Sequence, residues 1–193
     1  MEFMGYVRPD GKVGARNYVA VIPSVTCAND VAAAICRQVM GTVTYLHHQG
    51  CCQLVGCGFF WGVGWVAGAL FSIGCSPNAA AVLIVSLGCE GTDHERMVKE
   101  ISATGKHVEI IHIQELGGVS KAIQAGTDIA RRLVIEVSGI QRQPVDVSNI
   151  VMSIKCGGSD TTSGMASNCV IGYVADKLVD LGATVIFGET TEF

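Results

Sequence analysis

Ala80-Ala81-Val82-Leu83-Ile84-Val85-Ser86 is the stretch that decides the fold. The turn Ser76-Pro77-Asn78 stands before it and the polar run Leu87-Gly88-Cys89-Glu90-Gly91-Thr92-Asp93 behind it. A continuous apolar run of strand length is what a parallel sheet buries on both faces, beneath helices on each side. Working outward, the same alternation repeats. Upstream, the turn-rich segment 5–17 leads into a strand over Tyr18–Ile22, a helix capped by Thr26 or Asn29 and running to about Val39, a stop at Gly41 and a strand over Thr42–Leu46. Downstream come a polar helix from His94 to Ala103, a strand over His107–Ile113, a helix from Ser120 to Val137 and a polar connector over 141–148. A strand over Asn149–Ile154, a helix over Met165–Leu181 and a strand over Ala183–Phe187 complete the pattern. This predicts an α/β fold: a doubly wound, mostly parallel, Rossmann-like three-layer sheet of about six strands. A single domain over 5–193 is expected, with residues 1–4 a cloning remnant or a disordered start.

With 193 residues, 49% of them hydrophobic and 16% charged, the chain has the material for one sizeable core. A formal charge of -4 with dispersed Lys and Arg gives no footprint for nucleic acid. The start of the chain is not cationic or signal-like, so a cytoplasmic location is expected. Nine cysteines, an odd number without scaffold-like spacing, fit a reducing compartment in which some thiols serve chemistry. Cys36 and Cys169 read as small buried apolar residues, whereas Cys27, Cys51, Cys52, Cys57, Cys75, Cys89 and Cys156 fall near loop edges. The uncharged stretch 54–73 has membrane-span length, but five glycines and no flanking Lys or Arg argue against a span. It reads as a buried or partner-covered helix. Gly62-Val63-Gly64-Trp65-Val66-Ala67 fits a dinucleotide fingerprint by letter only, since no clear strand precedes it and no acidic residue follows about twenty positions on.

Two kinds of feature point to chemistry. The first is Ile154-Lys155-Cys156-Gly157-Gly158-Ser159-Asp160-Thr161-Thr162-Ser163-Gly164, where a strand breaks at two glycines and restarts as a helix. Such a turn aims backbone N–H groups at an anion, with Lys155 beside them, Cys156 able to ligate a metal, and Ser159 and Asp160 able to cap the helix. No Gly-Lys-Ser/Thr follows, so a carboxylate is a better ligand than a nucleotide triphosphate. The second is the set of loops at the carboxyl ends of the strands, where open α/β sheets bind ligands. The loops 23–29, 47–53, 87–93, 155–164 and 188–192 would bring His47, His48, Cys51, Cys89, Glu90, Cys156 and Glu189 to one edge. Imidazole, thiolate and carboxylate suit divalent iron or zinc, and three thiols could equally hold an iron–sulfur cluster. His94, His107 and His112 lie in or at regular elements and read as structural, and Arg16 is either a substrate-carboxylate clamp or a surface ion-pair partner.

Gly5-Tyr6-Val7-Arg8-Pro9-Asp10-Gly11-Lys12-Val13-Gly14-Ala15-Arg16-Asn17, His47-His48-Gln49-Gly50-Cys51, Pro77-Asn78, Leu87-Gly88-Cys89-Glu90-Gly91 and Lys155-Cys156-Gly157-Gly158-Ser159-Asp160, in this order, resemble the altronate/galactarate dehydratase family. That family includes the large subunit of sulfolactate sulfo-lyase. The resemblance runs from about residue 5 to the C-terminus and implies roughly the N-terminal half of the family's large, catalytic region. It also implies a metal-dependent hydro-lyase acting on a sugar acid such as altronate or galactarate, with Fe2+ foremost, Mn2+ or Zn2+ as alternatives, and a small domain or subunit as partner.

The implied reaction is β-elimination: a proton leaves the carbon beside the carboxylate, the enediolate is stabilised electrostatically, and the β-substituent departs. On this reading His48, Cys51, Cys89 and Cys156 serve the metal, joined by Glu90 and Glu189. Arg16, Lys155, Gly157, Gly158 and Ser159 hold the substrate carboxylate, and His47, with Lys155, takes the catalytic role. Release of sulfite from sulfolactate is one alternative, and a non-catalytic ligand-binding or assembly domain is another. A homo-oligomer is expected, with no nucleic acid or membrane partner.

Overall fold

The computed structural model describes residues 1–46, 63–155, 157, 158 and 160–188. In chain order its elements are β1 (Glu2–Val7), β2 (Val13–Gly14), β3 (Tyr18–Pro23), α1 (Asn29–Gln38), β4 (Thr42–Thr44), α2 (Val63–Cys75), β5 (Ala79–Ser86), α3 (His94–Ser102), β6 (His107–His112), α4 (Val119–Ser138), β7 (Gln143–Asp146), β8 (Val151–Ile154), α5 (Asn168–Asp180) and β9 (Thr184–Phe187). Where the sequence suggested one domain over 5–193, the chain groups into two compact units. One is Tyr6–Gln141, and the other joins Met1–Gly5 to the chain from Arg142 onward.

The Tyr6–Gln141 unit is built on a parallel four-stranded sheet in the order β4-β3-β5-β6. Every residue of β5 is buried, as its unbroken apolar run requires of a strand covered on both sides. Successive side chains go to opposite faces, and two apolar clusters result. Val19, Val21, Leu83 and Val85 meet Val31 and Ile35 of α1 and Leu133 of α4. Ala20, Ile22, Val82 and Ile84 meet Leu70 of α2 and Met97 and Ile101 of α3. Helices therefore cover both faces of the sheet. Leu83 has no exposed surface, so Leu83→Ala is expected to lower unfolding free energy by about 2–5 kcal/mol in urea titrations.

At the amino-terminal edge of this sheet, the segment read as turn-rich acts as a brace. Arg8 is 4% exposed; its Nε donates to the Pro77 carbonyl (2.7 Å), Nη1 to Asn17 Oδ1 (2.8 Å) and Nη2 to the Arg16 carbonyl (2.8 Å). Asn17 Nδ2 donates in turn to the Val137 carbonyl at 2.8 Å. The brace packs so closely that a Cβ on Gly14 would lie 2.1 Å from the Pro77 oxygen. Lys106 closes the same edge, its Nζ donating to the carbonyls of Gly74 (3.0 Å) and Ser76 (2.6 Å).

In the other unit, residues 2–5 of β1 pair antiparallel with β7, while Tyr6 and Val7 pair with β2. The expected disordered start is thus an ordered strand, with the Met1 carbonyl accepting from Val147 N–H at 2.9 Å. β8 and β9 pair in parallel across the α5 crossover. The sheet of about six strands is accordingly four strands, with β8 and β9 in a sheet of their own. The physical reason is the connector: after α4 the next strand, β7, runs antiparallel to β1 instead of adding a parallel strand beside β6. Val170 of α5 is 61% exposed. Among the described residues no helix is long and apolar enough to cross a membrane.

Candidate active site at the switch point of the sheet

The strand order reverses at β3: the chain goes from β3 to β4 on one side, then crosses to β5 on the other. The carboxyl ends of β3 and β5 therefore flank the crevice where such sheets bind ligands. Ser24 follows β3 directly, its N–H bonded to the Val85 carbonyl at 3.0 Å. Its Oγ donates to Glu90 Oε1 at 2.5 Å.

The loop after β5 folds back on the same carboxylate. Gly88 takes φ 111°, a left-handed conformation that favours glycine. Here Leu87 N–H reaches Glu90 Oε1 at 3.1 Å and Gly88 N–H reaches Oε2 at 2.7 Å. His94, the first residue of α3, places Nε2 3.1 Å from Oε1. Asp93 caps that helix by accepting from Arg96 N–H at 2.9 Å. His112, at the end of β6, sets Nδ1 3.0 Å from Ser86 Oγ and packs edge-on to His94, with ring centres 5.5 Å apart. The Glu90 side chain has no exposed surface, whereas that of His94 is 18% exposed. Burial alone would raise the Glu90 pKa, but hydrogen bonds from His94, Ser24, Ser86 and the backbone carry it far below the ordinary carboxylate range. The result is an enclosed carboxylate whose ionised form is favoured, with an imidazole at its rim.

Of the residues singled out in the sequence, Cys89 and Glu90 lie here. Cys89 is an exposed free thiol, as is Cys27 in the loop after β3. Both oxygens of Glu90 are occupied by protein donors, which makes it an anchor for the loop and for His94 rather than an open metal ligand. Among the described residues, no group of three or more His, Cys, Asp or Glu is arranged to hold a metal. His47, His48, Cys51, Cys156, Ser159 and Glu189 lie outside the described residues.

Arg16 is elsewhere. It precedes β3, at the amino-terminal edge, with its N–H bonded to Asn78 Oδ1 at 3.0 Å. The six residues of β3, about 20 Å of strand, separate it from the switch point, so it cannot clamp a substrate held there. Lys155, Gly157 and Gly158 line an open groove in the other unit, together with Ile154, Asp160 and Phe187. Asp160 accepts from Thr162 N–H (2.7 Å) and Ser163 N–H (3.0 Å) and so caps the start of the following helical segment. Cys169, expected to be buried, is exposed.

Ser24, Ser86, His94 and His112 are the residues that the sequence reading left out of the site. The readable signal was Glu90 and His94 four positions apart where a loop becomes a helix, with a serine ending each of two neighbouring strands. His107, read from the sequence as structural, lies in ion-pair range of Glu109 and Glu136.

Comparison with known proteins places these features in context. Residues 5–138 match the family described as D-galactarate dehydratase/Altronate hydrolase, second domain. Residues 147–193 match D-galactarate/Altronate dehydratase, C-terminal. The parts matched are a second and a C-terminal one, which replaces the expected N-terminal half. Over 190 residues the chain is 39% identical to the (2R)-sulfolactate sulfo-lyase subunit beta of Chromohalobacter salexigens, covering 98% of this chain and 47% of that protein. It is 27% identical over 200 residues to an altronate dehydratase of Bacillus subtilis, covering 98% and 39%. With the galactarate dehydratase (L-threo-forming) of Escherichia coli it shares 29% over 205 residues, again covering 98% and 39%. The chain thus spans less than half the length of these relatives.

Proposed function

Because the chain belongs to the D-galactarate dehydratase/altronate hydrolase family, we propose that it forms part of a lyase that eliminates water from a sugar acid such as altronate or galactarate. The observation that supports this reading is the buried Glu90 carboxylate paired with His94 at the switch point. Elimination beside a carboxylate needs a group that moves a proton and a fixed charge that stabilises the group once protonated. The turn of Lys155, Gly157, Gly158 and Ser159 remains a carboxylate-binding candidate within its own unit, and His47 a further acid–base candidate.

A divalent metal, Fe2+ first and Mn2+ or Zn2+ next, is the cofactor of this reading, with His48, Cys51, Cys89, Cys156 and Glu189 its candidate ligands. When bound, it would supply charge for the enediolate. The described residues do not by themselves make that centre. The partner would be the remainder of the family's architecture, carried on this chain or on another subunit, and the location cytoplasmic.

The identity with the sulfo-lyase subunit, 39% against 27% and 29% for the two dehydratases, favours a second reading in which sulfite is the leaving group. One experiment tests both. The intact protein that carries this chain, with any subunit that copurifies, is incubated with altronate, galactarate and (2R)-sulfolactate, and 2-keto acid and sulfite are measured. Keto acid from a sugar acid supports the dehydratase, and sulfite supports the second reading. Neither product from any of the three would overturn both.

A further inference from the structure

We propose that His94 is the acid–base residue of the switch-point site and that Glu90 positions it, an inference that rests on the lyase reading above. The geometry separates the two groups by role. The carboxylate is enclosed, and the imidazole reaches solvent. Nε2 of His94 is engaged by Glu90, which orients the ring. Ser24, Leu87 N–H and Gly88 N–H hold the carboxylate in place, so that it faces the imidazole with a fixed negative charge. His112, itself tethered to Ser86, packs its ring against His94 and restricts the second side of that ring. The nearby Asp93 carboxylate is committed to capping α3 and does not compete for the imidazole.

A purely structural role explains this arrangement poorly. A buried ionic cluster is on average no more stabilising than apolar residues of the same volume. Ser24 and His94 bonded to one carboxylate at the switch point, with His112 packed on His94, are therefore better accounted for by proton transfer. The step balances on His94 alone. Neutral His94 takes the proton from the carbon beside the substrate carboxylate, and the C–H electron pair moves to form the enediolate. That pair then becomes the carbon–carbon double bond as the β C–O bond breaks. The imidazolium gives its proton to the departing hydroxyl, which leaves as water, and His94 is neutral again. With sulfite as leaving group, the proton passes to solvent instead.

The test uses the intact protein and whichever of altronate, galactarate or (2R)-sulfolactate it turns over. His94→Gln is expected to lower kcat by about 100-fold or more while leaving KM within about threefold, because a proton-transfer group contributes on the order of 100- to 10000-fold to rate. Added imidazole is expected to restore part of the turnover of His94→Ala, which a structural loss would not allow. Thermal melting identifies the folded fraction, to which all rates are normalised. Folded His94→Gln with kcat within threefold of the parent overturns the inference and leaves the lyase reading intact. A parent protein that yields neither keto acid nor sulfite overturns the lyase reading, and the inference falls with it.

Discussion

Glu90→Ala is expected to lower unfolding free energy by about 3–5 kcal/mol, the range for removing one partner of a buried charged pair. The loss exceeds one hydrogen bond because several donors converge on this carboxylate, among them Ser24 Oγ, two backbone N–H groups and His94. Without it the Leu87 and Gly88 amides lose their acceptor and the loop after β5 loses its anchor. Urea titration of the parent and the variant measures the difference. The same carboxylate gives the fold an acid dependence of definite sign. Its pKa in the folded protein lies below the ordinary value of 4.5. The unfolded chain therefore binds the extra proton as pH falls through that value. The contribution of Glu90 is complete above about pH 4.5 and shrinks progressively below it, so the parent and Glu90→Ala should converge in stability as acid is added. A gap that stays constant from neutral pH into acid would contradict the network drawn here.

The second large effect lies at the opposite edge of the same sheet. Arg8→Ala should cost about 3 kcal/mol or more, since a hydrogen bond from a charged group contributes roughly 1.5–3 kcal/mol and Arg8 makes three. The guanidinium ties the Pro77 turn before β5 to the Arg16–Asn17 segment before β3, and so sets the relative positions of the two strands whose far ends carry the site. Arg8→Lys should recover only part of the loss, because an ammonium cannot reproduce a three-way planar fork. A denaturation midpoint unchanged in Arg8→Ala would show that the brace is incidental.

How much of this was legible in the sequence depends on the range of the interactions involved. The β5 run, its turn at Pro77 and the α1, α3 and α4 patterns announced the parallel layers because local periodicity reports burial directly. β1, β2 and β7 were not legible: Glu2–Val7 carries no clear alternation, and its pairing with Gln143–Asp146 joins segments about 140 residues apart. Arg16 was misplaced for a related reason. Its spacing to other residues says nothing about which edge of the sheet it occupies, and only the direction of β3 settles that. His94 and His112 read as structural because each sits within or at the end of a regular element. What brings them together is the register that sets Ser86 beside His112, and the loop that folds Glu90 back under His94.

The Glu90–His94 pair is proposed to serve chemistry and not the fold alone. Its most direct test is kcat and thermal midpoint measured side by side for Glu90→Gln in the intact protein, on the substrate that the parent turns over. The account predicts a variant still folded at the assay temperature, with KM little changed and kcat down by about 100-fold. A folded Glu90→Gln protein turning over at the parental rate would contradict it.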